Sequence, residues 1–331
     1  MPLPDLTQLV YALGRLTGAT RFASPDIRRV RSLVTVANAW RAYRRDAGAG
    51  DVGSAHQPSN DPNSILMTDD PRRDAVVLWL AAHGVPAIAE AATTVVHMVN
   101  AARGFEVDAL ALLSAAQDTV AQKSVDGPLV RACRLTELGP DHPLRGMTYA
   151  LAAADVLITT TDFAESHGHD AILSSPSRLI RHYVSAAPAG CWALNLVLVA
   201  HGVMPFVTGM IPRTVFRLDL NDIERASSCI DHSTHVSMAA FKDFERIEID
   251  LDRGRNALAG LSRNARTGEA WALAMALGPT TRTQIRRVLG LSRAGADIQA
   301  HSLAAFGLVE LAASGRVIPT LPGTSLLRTP N

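Results

Sequence analysis

The 331 residues are 47% hydrophobic but only 5% aromatic. Such a chain can bury one large core or two ordinary ones, built mainly from Ala, Leu and Val, and a disordered composition is excluded. The formal net charge of +1 excludes any argument for a polyanionic partner from whole-chain charge.

In chain order, residues 1–46 read as helical. Apolar residues recur at Leu6, Leu9, Val10 and Leu13, and again at Val30, Val34 and Ala37. The second of these helices carries Arg28, Arg29, Arg31, Arg41, Arg44 and Arg45, a pattern expected of a solvated face, or of one that binds nucleic acid or an acidic partner. Residues 47–71 are rich in Gly, Ser, Pro, Asn and Asp and read as a linker or loop. "DDPRRDAVVLWLAAHG" then opens a helix, with Asp70 as N-cap, Pro71 in the first turn and Gly84 beyond the end. An Ala-rich helical pattern runs from 86 to about 122, broken at Arg103-Gly104, and a longer break spans 126–146.

Residues 147–166 and 175–187 are predicted as two further helices, the second starting at Ser175-Pro176. The apolar run 191–211 is interrupted by Asn195, His201, Gly202 and Pro205, which suits a buried helix ending near Gly202 and not a membrane span. "GMIPRTVFRLDL" reads as a loop with a short strand. One or two helices follow over 221–265, with Phe241, Phe244, Ile247 and Leu251 at helical spacing.

The segment 268–320 is divided by its own punctuation. "GEAWALAMALG" is a helix stopped at Gly278-Pro279. "TTRTQIRRVLG" is a second, with a Thr available as cap and Ile285, Val288 and Leu289 facing inward. "LS" turns into a third, capped by Ser292, with Ala296, Ala300, Leu303 and Phe306 on one face and Gly307 at its end. "LVELAASGRVIPT" reads as strand, Ser-Gly turn, strand. From Ser262 onward eight Arg face three acidic residues, a net charge of +5 that leaves −4 on residues 1–261.

This order of helices and hairpin resembles the winged helix-turn-helix regulators. Leu289, Gly290, Leu291, Ser292, Leu303, Gly307, Leu308 and Val309 fill their "LGLS…LxxxGLV" frame without a gap. The likeness covers about 50 residues. It implies a third helix in the major groove, begun at Ser292, with Arg293, Ala294, Gly295, Asp297 and Ile298 toward the bases. Arg293 would bond guanine and Gln299 would make a further base contact, while Asp297 would be repelled by phosphates. Arg282, Arg286, Arg287 and, at the wing tip, Arg316 would be phosphate contacts, which set affinity without specifying sequence. The layout of a long helical region containing "WALNLVLVAHGVMPFVTGMIPRTVFRLDL" before this module is also similar to rhizobial plasmid-borne helical proteins with a terminal helix-turn-helix. Those have no activity to lend.

Other chemistry is thinner. "DFAESHGHDA" gathers Asp162, Glu165, His167, His169 and Asp170, and "DHSTH" gathers Asp231, His232 and His235. Either could ligate a divalent ion, but neither has the His-Glu-x-x-His frame or a Cys pair, so no metal site is assigned. Cys133, Cys191 and Cys229 stand far apart without a Cys-x-x-Cys, which gives no disulfide framework and a reducing compartment as the default. "DHPLRGMTY" has the His-Pro of Fic-type nucleotidyl transfer but lacks the acid and the glycine run. No phosphate-cradling glycine loop or Gly-x-Ser-x-Gly elbow is present. "MPLPDLTQLV" has no basic region followed by an apolar run, so no signal peptide is expected.

The expectation is a mainly α protein with a C-terminal winged helix-turn-helix and a short β-hairpin. Its divisions are helices over 1–46, a linker over 47–71, a helical domain over 72–261 and the DNA-binding domain over 262–331. It would be a cytoplasmic bacterial regulator binding double-stranded DNA as a homodimer, with no membrane partner, no cofactor and no catalytic residues. The alternatives are a helical protein-interaction module and, further off, a metal-dependent enzyme.

Overall fold

The computed structural model describes residues 6–47, 65–67, 69–139, 141–164, 169–175, 178–184, 190–204, 206–261 and 265–320, with only the backbone described between 165 and 189. Twelve α-helices dominate the described residues. None is long and apolar enough to cross a membrane. Contacts divide the chain into two units. The first comprises Met1–Arg21, Arg41–Gln57 and Phe105–Phe241; the second comprises Phe22–Trp40, Pro58–Gly104 and Lys242–Asn331. The expected C-terminal segment 262–331 therefore shares its unit with 22–40 and 58–104, while the expected linker over 47–71 lies largely outside the described residues.

The first unit contains α1 (Thr7–Phe22) up to Arg21, and the end of α2 (Pro25–Ala47). Helices α3 (Pro71–His83) and α4 (Pro86–Val99) belong to the second unit. The first continues with α5 (Val107–Ala121), α6 (Pro128–Ala132), α7 (Arg145–Leu157), α8 (Cys191–Ala200) and α9 (Asp222–Leu258) as far as Phe241. Every residue of α8 is buried, against α5 and α7.

Within the predicted helix over 175–187, residues 178–184 are instead a strand. β1 (His169–Ser175) pairs antiparallel with β2 (Arg178–Val184), His169 opposite Val184 and Ser175 opposite Arg178. Ser-Pro opens helices and turns alike, and the Ile, Tyr and Val of 180–184 favour the extended form. The expected strand within 209–220 is a short 3-10 helix, Arg213–Phe216, because Pro212 restricts the residue before it and lacks a donor for a ladder.

Residues 209–211, in the Gly- and Pro-containing stretch after α8, are buried, so their backbone polar groups need partners. Helix side chains supply them at three consecutive carbonyls. His232 Nε2 donates to Gly209 O at 2.8 Å, Ser233 Oγ to Met210 O at 3.0 Å and Asn195 Nδ2 to Ile211 O at 2.8 Å. Asn195 Oδ1 also accepts from Ile211 N at 2.9 Å.

Helix α6 starts at Gly127 without a side-chain cap. Asp155 of α7 replaces it by accepting from Leu129 N at 2.9 Å. A Cβ at position 127 would lie 2.2 Å from Asp155 Oδ2. Burial pushes the Asp155 carboxyl up to about 6, opposed by the bond from Leu129 and by the charge of Arg225. A carboxyl whose folded pKa is raised contributes stability below its unfolded pKa and loses it as pH rises through the folded one. Allowing for solvent screening of the part-exposed carboxyl, the protein is therefore expected to lose about 1–2 kcal/mol between pH 4 and 7 from this group. Asp155→Asn should flatten that part of the profile; urea titrations at four pH values that leave the two slopes equal would reject the assignment.

In the second unit α3 and α4 pack together. Asp70 caps α3 as expected, accepting from Arg72 N at 3.1 Å, with Pro71 in the first turn. The unit also holds α10 (Thr267–Leu277), β3 (Thr280–Thr281), α11 (Arg282–Leu289), α12 (Arg293–Ala305), β4 (Val309–Leu311) and β5 (Arg316–Pro319). The strands form an antiparallel sheet in the order β3-β5-β4, with Thr281 opposite Arg316 and Val309 opposite Pro319. Trp271, Leu277, Ile285, Ala300, Leu303, Leu308 and Val317 make the core of this segment. Phe306, expected on the buried face of α12, is 42% exposed, because the helix has ended and Gly307 turns the chain at φ +66°.

Candidate nucleic-acid interface

The site is assembled by local sequence. Gly278, at φ +83°, ends α10. Thr281 and Gln284 then form a capping box on α11: Thr281 Oγ1 accepts from Gln284 N at 3.2 Å and Gln284 Oε1 from Thr281 N at 2.8 Å. Gly290 ends α11 in the left-handed conformation at φ +61°. Ser292 restarts the chain as α12, its Oγ accepting from Gly295 N at 3.0 Å. Gly315, at φ +79°, closes the turn between β4 and β5. Each of these positions satisfies a helix end or allows a positive φ.

This punctuation opens a cleft of about 510 Å³ between the first turns of α11 and α12 and the β4–β5 turn. Arg282, Arg286 and Arg293 line it, together with Thr281, Thr283, Ser314 and Asp297. Arg282 Nη1 lies 3.1 Å from Asp297 Oδ1, with both side chains about one-third exposed. Arg286 and Arg293 are exposed and carry no ion pair among the described residues. The cleft thus presents three guanidinium groups against one carboxylate, with hydroxyl donors at its edge. Its chemistry suits an oxyanion such as a phosphodiester.

The other expected contacts are placed elsewhere. Arg287 donates to Met98 O, at the end of α4, at 3.5 Å, where a cation also complements the helix dipole. Gln299 accepts from Thr267 Oγ1 at 2.5 Å, which ties α12 to α10. Arg316 begins β5 beside Thr281 and is not among the residues lining the cleft. Arg266 is engaged with Glu269, at 2.9 and 2.7 Å, and with Leu289 O at 2.9 Å. Arg263 and Arg328 lie outside the described residues. The +5 of the segment is therefore concentrated less in the cleft than its count suggests. The hydroxyls of Thr283 and Ser314 went unread in the sequence, and Thr281 was expected only as a capping Thr, not as a cleft residue.

Among the described residues the Asp231, His232 and His235 cluster forms no metal site. Asp231 and His235 are exposed, and His232 is occupied with Gly209 O. Glu165 and His167 lie outside the described residues, and the side chains of His169 and Asp170 are not described. Among the described residues no group of three His, Cys, Asp or Glu could hold a metal ion. Burial pushes the Cys133 thiol up to about 12 and the Cys229 thiol upward too, which disfavours the thiolate form that a nucleophile needs. Compared with protein-family models, with curated proteins and with solved structures, the chain matches none.

Proposed function

We propose that residues 267–320 form a winged helix-turn-helix that binds duplex DNA, and that the chain is a DNA-binding regulator. One conjunction carries this reading: three helices and a β3-β5-β4 sheet in this chain order, with Arg282, Arg286 and Arg293 gathered where α11, α12 and the hairpin turn meet. Arg282 and Arg286 contact phosphate in this reading, and Arg293, first in α12, reaches a guanine edge. Arg287 and Gln299, engaged with Met98 O and Thr267, are not given DNA contacts in this reading. A reading helix with so few polar side chains gains specificity as a homodimer that must match two half-sites.

The test is fluorescence anisotropy of the full chain with mixed-sequence duplex at several salt concentrations. Binding should weaken steeply with salt. Arg286→Ala should reduce the magnitude of the log–log slope by about 1 for all sequences. Arg293→Ala should instead cost about 1–3 kcal/mol on the preferred site and relax its sequence preference. No binding at low salt, or an undiminished slope for Arg286→Ala, overturns the docking face. In that event the outward face of α12 favours a second reading. Ile298 is 62% exposed there, beside Ala294, and this apolar pair suits a protein partner as well as a thymine methyl.

A further inference from the structure

We infer that Asp297 is a specificity-determining residue of the cleft: it suppresses binding to DNA at large and selects a cytosine. The inference rests on the DNA reading of the same cleft. The Arg282–Asp297 pair joins α11 to α12 at 3.1 Å, but the two helices do not need it. Ile285 and Leu289 of α11 and Ala296, Ala300 and Leu303 of α12 are all buried, and a partly exposed ion pair contributes little to stability. Its consequence therefore falls on what enters the cleft.

Two effects follow from its position. First, the carboxylate sits among the three guanidinium groups that line the cleft. It cancels part of their charge and repels a phosphate that approaches without a compensating contact. It also occupies Arg282 Nη1, on a guanidinium whose Nε is buried without an acceptor. Second, a carboxylate paired with a guanidinium only accepts hydrogen bonds. Oδ1 receives Arg282, and the Asp297 main-chain carbonyl receives His301 Nδ1 at 2.8 Å. Oδ2 is left to accept from the ligand.

In the major groove the donors are the amino groups of cytosine and adenine. Adenine carries the N7 acceptor next to its amino group, which would face the carboxylate, whereas cytosine presents its amino group alone. Arg293 lies one helical turn earlier, four residues before Asp297, and offers donors to guanine. The pair therefore reads a guanine and a cytosine in neighbouring base pairs.

The experiment compares the full-length chain with Asp297→Ala and Asp297→Asn. It measures binding to mixed-sequence duplex at two salt concentrations and selects sites from a randomised duplex pool. Asp297→Ala should bind mixed-sequence duplex about 5- to 10-fold tighter, the scale of one charge contact near a surface. It should also steepen the salt dependence and lose the cytosine from the selected site. Asp297→Asn keeps an acceptor for Arg282 and should exchange the cytosine for adenine, which Asn bonds through both N6 and N7. If the wild-type chain binds DNA but the Ala variant binds no tighter and selects the same site, the assignment of Asp297 fails while the DNA reading stands. If the wild type is silent and Asp297→Ala binds, the suppressing role is supported. If all three chains fail to bind at low salt, both readings fall.

Discussion

Replacing Asn195 by Leu should lower stability by about 2–4 kcal/mol, although Leu matches its size and apolar setting. Asn195 is 5% exposed within a helix whose every other residue is also buried. Its amide bonds both polar groups of Ile211, at 2.8 and 2.9 Å, and Ile211 is itself buried. Leu would leave the Ile211 N–H without an acceptor and its carbonyl with only the Cys191 thiol, 3.1 Å away. A thiol is a weak donor, and each buried polar group left unpaired costs about 1–3 kcal/mol. The loss should extend to the carbonyls of Gly209 and Met210, which His232 and Ser233 hold in the same buried run. Urea unfolding should show a midpoint lowered at unchanged slope. A change below about 1 kcal/mol would mean that water or a shifted backbone replaces the amide.

Gly254→Ala should destabilise the second unit, against the usual preference of a helix for Ala. In α9 the exchange alone is worth about 1 kcal/mol in favour of Ala. Here the added methyl would stand 2.4 Å from Trp271 Cδ1 and 2.5 Å from its Nε1. The ring cannot retreat easily. It is 1% exposed, its Nε1 donates to Asp250 O at 3.0 Å, and the Arg253 guanidinium lies 5.0 Å from its centroid. Overpacking of this kind costs about 1–3 kcal/mol or more. Because Trp271 belongs to α10, the displacement should also weaken the DNA binding proposed for this segment. Trp271→Leu in the Gly254→Ala background supplies the check: the double variant should lose less than the two single losses added. Strict additivity would place the damage away from this contact.

The punctuation of the C-terminal segment was legible in the sequence. Thr281 at the start of α11, Ser292 at the start of α12, and Gly278, Gly290, Gly307 and Gly315 in the turns are the residues expected there, and the structure uses them so. Cap bonds and positive φ values act over three or four residues, so a short stretch of sequence contains all the physics required. The buried faces of Ile285 and Leu289 and of Ala296, Ala300 and Leu303 followed from helical periodicity for the same reason. Periodicity misled where it was weak. The 178–184 segment is a strand because it pairs with β1 just before it, Ser175 opposite Arg178, and helical periodicity does not test for such a partner.

The sequence by itself determined where the C-terminal helices begin and end, which of their faces are apolar, and that the last 70 residues carry an excess of Arg. Tertiary structure alone decided which charges are available. Arg282 meets Asp297 fifteen residues away, and Arg287 meets Met98 O across 189 residues. Gln299 turns toward Thr267, while Arg286 and Arg293 stay open at the cleft. A guanidinium's ability to bind a ligand depends on which acceptor reaches it first, and that is set by folded distance and burial, which composition and spacing do not encode.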